Sequence, residues 1–86
     1  MNIPELTPVE SSNIYAVGFR LHDQSLYVQF KSKGGPGAIY RYIAVPPELY
    51  QRFLNSASKG GFFSREVKGH FAAEKFSRAA INSRLE

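Results

Sequence analysis

The stretch Ile39-Tyr40-Arg41-Tyr42-Ile43-Ala44-Val45-Pro46-Pro47 sets the terms for the rest of the chain. Its first half alternates as a strand does. Pro46-Pro47 cannot continue a ladder but suits the first turn of a helix. A strand must therefore hand over to a helix within a few residues. Alternation puts Tyr40 and Tyr42 on one face, and Ile39, Arg41 and Ile43 on the other. Burying an unpaired guanidinium is costly, whereas a buried tyrosine packs its ring and leads its hydroxyl to a partner or to the rim. This argument favours inward tyrosines and an Arg41 left in water. Outward tyrosines would instead form a platform for stacking.

Two strands precede this one. Ile14-Tyr15-Ala16-Val17-Gly18-Phe19 is β-branched and aromatic, with Tyr15, Val17, Phe19 and Leu21 expected on one face. His22-Asp23-Gln24-Ser25 reads as a polar turn. Leu26-Tyr27-Val28-Gln29-Phe30-Lys31 then alternates cleanly: Leu26, Val28 and Phe30 inward, Tyr27, Gln29 and Lys31 outward. Ser32-Lys33-Gly34-Gly35-Pro36-Gly37 reads as a loop, since glycines and proline weaken a ladder, and it closes a hairpin onto Ala38–Ile43.

Beyond Pro46, Leu49, Tyr50, Phe53, Leu54 and Ala57 recur at helical spacing, with Glu48 near the positive end of the helix. Ser58 caps a second helix opened by Lys59-Gly60-Gly61. Phe62, Phe63, Val67, His70 and Phe71 continue its apolar stripe, and Gly69 weakens or ends it. The helix formers of 72–85 predict a third helix. The expected fold is thus α+β: a three-stranded antiparallel β-meander followed by two or three α-helices packed on one face. Residues 1–10 form an extended leader, 11–71 the domain and 72–86 a C-terminal helical extension.

With 86 residues and 43% hydrophobic content, the chain can form one packed domain. It has no cysteine, which excludes disulfides and thiolate zinc sites. No apolar run is long enough to span a bilayer, and the first residues do not read as a secretory signal. The expected location is the cytoplasm. Charge is uneven: in residues 1–30, Arg20 against Glu5, Glu10 and Asp23 leaves −2, while ten Lys/Arg against four glutamates leave +6 in residues 31–86. The basic two-thirds suits a polyanion partner.

No catalytic constellation stands out. His22 and His70 are the two histidines and have no tight acidic cluster to make a metal site. Glu66 and Glu74 lack a paired carboxylate at useful spacing, and the serines lack a local nucleophile signature. The reading is a non-enzyme with no cofactor and no metal. Ser58-Lys59-Gly60-Gly61 at a helix start can cradle an anion or simply cap the helix. Lys31 and Lys33 beside the glycine loop can reach a phosphate or merely solubilise the tip.

The ordered series Ser11-Ser12-Asn13-Ile14, Val17-Gly18-Phe19, Leu26-Tyr27-Val28-Gln29-Phe30, Tyr40-Arg41-Tyr42, Val45-Pro46, Tyr50, Ser58-Lys59-Gly60, Phe62-Phe63, Val67-Lys68 and Phe71 resembles the KTSC domain. That family comprises small bacterial or phage proteins and C-terminal domains of some lysyl-tRNA synthetases, and a tyrosine-x-tyrosine is its hallmark. The resemblance implies an accessory domain and makes RNA a candidate ligand.

The expected function is nucleic-acid binding, RNA more than DNA, with stacking rings and phosphate-binding cations. The candidate residues are Tyr27, Lys31, Lys33, Arg41, Lys59, Arg65 and Lys68, with Tyr40 and Tyr42 added if exposed. The rival is a protein-interaction module using an exposed Ile39/Ile43 face or the C-terminal helix, the helix serving as a homodimer contact.

Overall fold

The computed structural model describes residues 5–33 and 35–76. Five antiparallel strands form one sheet in chain order: β1 (Thr7–Pro8), β2 (Ile14–Arg20), β3 (Ser25–Ser32), β4 (Gly35–Tyr42) and β5 (Ala73–Phe76). Helix α1 (Pro47–Asn55) and the short α2 (Lys59–Phe62) follow β4, and α2 runs into a π-helical turn, Phe63–Val67. The α+β class and the central meander match the sequence reading, but the sheet has five strands, not three.

The two extra strands lie at the edges. Thr7 and Pro8 pair with Val17 and Ala16, so the expected leader is tied into the sheet. Ala73–Phe76 pairs with Ile39–Tyr42, which corrects the start of the expected third helix. Ala73, Glu74 and Lys75 are strong helix formers, but propensity is a local preference that pairing with a neighbouring strand overrides. The remainder of that helix, and with it the expected dimer surface, lies outside the described residues.

The hairpin is also tighter than expected. Ser32 pairs with Gly35 and Lys31 with Pro36, so the glycine-proline stretch begins β4 rather than forming a loop. A register shift between Gln29 and Lys31 absorbs the irregularity, as a bulge does. There Gly37 presses on β3 so closely that a Cβ would sit 2.8 Å from the Phe30 carbonyl oxygen. Lys33 turns the tip with φ +52°.

A second register shift, between Ile14 and Ala16, reorganises β2. Tyr15 is turned out to solvent, and Ile14 and Val17 are fully buried. Leu21, expected to share a face with Val17, is 67% exposed while Val17 is fully buried. The core joins Ile14, Val17, Leu26, Val28 and Tyr42 of the sheet to Val45, Phe53, Phe62, Phe63 and Val67. The π turn serves this packing. The Lys68 N–H bonds to the Phe63 carbonyl at 2.9 Å, five residues back, so the widened turn returns Val67 to the side that Phe62 and Phe63 occupy. His70, expected in this stripe, is exposed, because Gly69 at φ +81° has already turned the chain away.

The opposite sheet face is covered too. Ser25, Tyr27, Gln29 and Ile39 are all buried there. Over Gly18, a Cβ would meet Leu6 Cδ2 at 2.8 Å and the Glu5 carbonyl oxygen at 3.0 Å. The Arg20 guanidinium lies 5.8 Å from the centre of the Tyr27 ring. Among the described residues, the expected open binding face is therefore absent, and so is the exposed Ile39/Ile43 patch: Ile39 is buried and Ile43 half-buried.

Candidate functional site

Tyr40 and Tyr42 do point to the helix side of the sheet. Tyr42 is buried and Tyr40 half-buried. Arg41 takes the other face, but it does not stay wet. Its side chain is 17% exposed. Nε donates to Ser25 Oγ at 3.0 Å and Nη1 to Glu74 Oε1 at 2.9 Å, and Nη2 lies 3.6 Å from Asp23 Oδ2. Arg20 approaches the same Asp23 oxygen at 3.6 Å. Partial burial pulls the Asp23 carboxyl up, but the Ser25 hydroxyl and the two guanidiniums outweigh it and hold the group below its ordinary value of 3.8. The premise that burial would leave the guanidinium without partners fails, because the Glu74 carboxylate arrives on the unforeseen β5. As candidate contacts, Arg41 and the fully buried Tyr27 are thus corrected to structural positions.

On the helix side, four rings close a circuit. Phe30 meets Tyr40 edge-on at 5.5 Å and Phe63 edge-on at 5.3 Å. Tyr42 meets Phe63 edge-on at 5.4 Å and lies 6.3 Å from Tyr40 at 25° between planes. Such edge-to-face contacts suit the ring quadrupoles and stiffen the cluster. Burial, and then the neighbouring Tyr40, push the Tyr42 hydroxyl up from 10.0 to about 12. At neutral pH the hydroxyl is protonated, as any tyrosine's is, and can donate a hydrogen bond.

This cluster lines a groove of about 520 Å3 between β3–β4 and the π turn, with Lys31 and Lys68 on its wall. Both lysines are exposed, and neither is in an ion pair among the described residues. Lys31 stands at the register shift of β3–β4, next to Phe30, and this sets its place on the groove wall. The π turn positions Lys68, whose backbone N–H closes it. The groove thus combines half-exposed ring surface, phenolic hydroxyls and two ammonium groups, groups whose chemistry suits planar, anionic ligands.

Of the candidates read from sequence, Lys31, Tyr40, Tyr42 and Lys68 come together here. Lys33 is exposed at the hairpin tip. Lys59 donates to the Ser56 carbonyl at 3.1 Å, and Ser58 Oγ accepts from the Gly61 N–H at 3.2 Å, so this segment caps and joins the helices. Arg65 is exposed and folds back to within 3.3 Å of where a Gly61 Cβ would lie. The sequence reading missed Asn13, Phe30, Phe63 and Ser64 as lining residues. Phe30 and Phe63 looked like plain core positions, and Asn13 and Ser64 carried no chemical signature. Among the described residues no group of three or more His, Asp or Glu side chains is placed to hold a metal, and no helix is long and apolar enough to cross a membrane.

One antiparallel sheet, a helical pair on one face and an aromatic groove at their junction define a small α+β domain. Residues 10–71 match the KTSC domain, and the chain belongs to that family. The fold is similar to the crystal structure of a KTSC domain protein from Yersinia pestis, with a TM-score of 0.77 and 34% identity, covering 85% of this chain and 97% of that one. An uncharacterized protein of Stutzerimonas stutzeri is 40% identical over 60 residues, 70% of this chain and 79% of its own length. A lysine–tRNA ligase of Nostoc punctiforme is 35% identical over 74 residues, 86% of this chain but 12% of that enzyme.

Proposed function

We propose that the domain is a non-catalytic module that binds single-stranded nucleic acid along the groove between Tyr40 and Lys68. The observation that carries this reading is the pairing of half-exposed rings with two uncommitted ammonium groups in one concavity. A base stacked on an aromatic side chain contributes about 1–3 kcal/mol, and Lys31 and Lys68 would each meet a backbone phosphate. The net charge of +4 adds long-range attraction. A duplex keeps its bases stacked and paired and cannot lay one on a ring, which favours single strands. The lysine–tRNA ligase relatives carry this kind of domain beside an enzyme whose name includes an RNA, which fits an RNA-directed role.

Charge reversal tests the reading. Lys31→Glu with Lys68→Glu should weaken binding of a short labelled uridylate strand by at least about tenfold, given two lost phosphate contacts, with thermal stability preserved. Unchanged affinity in the double variant would remove the groove from the contact surface.

A further inference from the structure

The aromatic groove does not end at Asn13 and Ser64. Both residues also line a second concavity of about 440 Å3, where the turn before β2 faces the start of α2. The two hollows share Asn13 and Ser64, so a strand lying in one has the other beside it. Their linings differ in kind. The first offers rings and two free ammonium groups, the second hydroxyls and an amide. Its cation, Lys59, is engaged by the Ser56 carbonyl, and Glu10 lies on the same lining. A hollow so equipped suits neutral hydrogen-bonding groups better than a phosphate.

Much of this hydrogen bonding holds the hollow in shape. Ser11 Oγ donates to Asn13 Oδ1 at 3.2 Å and accepts from the Ile14 N–H at 3.2 Å. Gly60 lies so close under Asn13 that a Cβ there would sit 2.7 Å from Oδ1. The amide is thus fixed from two sides, and its NH2 group has no protein partner among the described residues. Ser64, exposed at the junction of the two hollows, has none for its hydroxyl.

A strand with a base against Tyr40 carries one group per ribose that matches this lining, the 2′-hydroxyl, which both donates and accepts. We propose that the hollow at Asn13 and Ser64 receives the ribose next to the stacked nucleotide, so that the domain prefers RNA to DNA. The proposal rests on the single-strand reading of the aromatic groove. DNA leaves the Asn13 amide and the Ser64 hydroxyl facing a bare sugar, and sites built to hydrogen-bond a hydroxyl discriminate against ligands that lack it.

The test is fluorescence anisotropy with a short labelled uridylate strand and its 2′-deoxy counterpart, at about 50 mM salt, where phosphate attraction is strong. The RNA should bind about tenfold more tightly, as one or two added hydrogen bonds provide. Ser64→Ala and Asn13→Ala should each lower the ratio of RNA to DNA affinity from about tenfold towards one. Ser64→Ala keeps the test sound should Asn13→Ala fail to fold. Equal affinity for both strands, or an RNA preference intact in Ser64→Ala, overturns the proposal and leaves single-strand binding standing. Absence of binding to either strand removes both.

Discussion

Replacing Arg41 by alanine separates a structural from a ligand-contacting arginine. Nε donates to Ser25 Oγ at 3.0 Å, and Ser25 is fully buried. A hydrogen bond from a charged donor contributes about 1.5–3 kcal/mol, and the low end applies because Ser25 is a neutral partner. The Glu74 pair, at 2.9 Å, is half-exposed on the Glu74 side, and solvent reduces such a pair to about 0.2–1 kcal/mol. Together the losses come to about 2 kcal/mol. For a domain of this size that lowers the melting temperature by roughly 8–16 °C. Thermal denaturation followed by circular dichroism measures it, and a cycle with Glu74→Ala isolates the pair. Affinity for a short single strand should be unchanged. A melting temperature within about 2 °C of wild type, with binding abolished, would refute the reasoning and return Arg41 to the contact surface.

Two further outcomes follow from the same structure. The Tyr42 hydroxyl titrates at about 12, against an ordinary 10.0, so between those values the folded chain keeps a proton that the unfolded chain has lost. Stability from this group is full below pH 10 and falls as pH rises through about 12. Denaturant melts across that window should show the decline, and Tyr42→Phe should flatten part of it; an identical slope in the variant would count against the burial. Ala44 is exposed with φ +62°, a left-handed conformation costing about 1–2 kcal/mol for a residue with a Cβ. Ala44→Gly relieves this but gains unfolded-state freedom worth about 0.4–1 kcal/mol. The net expectation is a stability gain of about 0.5–1 kcal/mol in chemical denaturation, and a loss would show the strain to be absent.

Period-two alternation turned Leu26, Val28 and Phe30 towards the helices and put Tyr40 and Tyr42 on one face, a strong local signal; the face chosen for the tyrosines matches the structure, although its premise of a wet Arg41 does not. The α1 stripe was legible for the same reason. The edge strands were not. Thr7–Pro8 is two residues long, and Ala73–Phe76 pairs with β4 through contacts that no local pattern encodes. That omission carried over to Arg41, whose Glu74 partner stands on β5. Tyr27 was misread likewise: a polar-capped ring on an alternating strand reads as outward, and only the covering of the second face makes it core. Lys31, Lys68 and the two tyrosines were legible as chemistry, while their meeting in one groove depends on a bulge in β3–β4 and a π turn that local sequence does not announce.

The most direct test of the groove as a binding site is the salt dependence of its affinity for a short single strand. Each phosphate contact to a single strand contributes a log–log slope of about −0.7, so Lys31 and Lys68 together require about −1.4. Raising salt from about 50 to 200 mM should then weaken binding about sevenfold, and in the Lys31→Glu, Lys68→Glu double variant the dependence should vanish with the binding. A wild-type affinity indifferent to salt, or no binding at the lower concentration, would contradict the account.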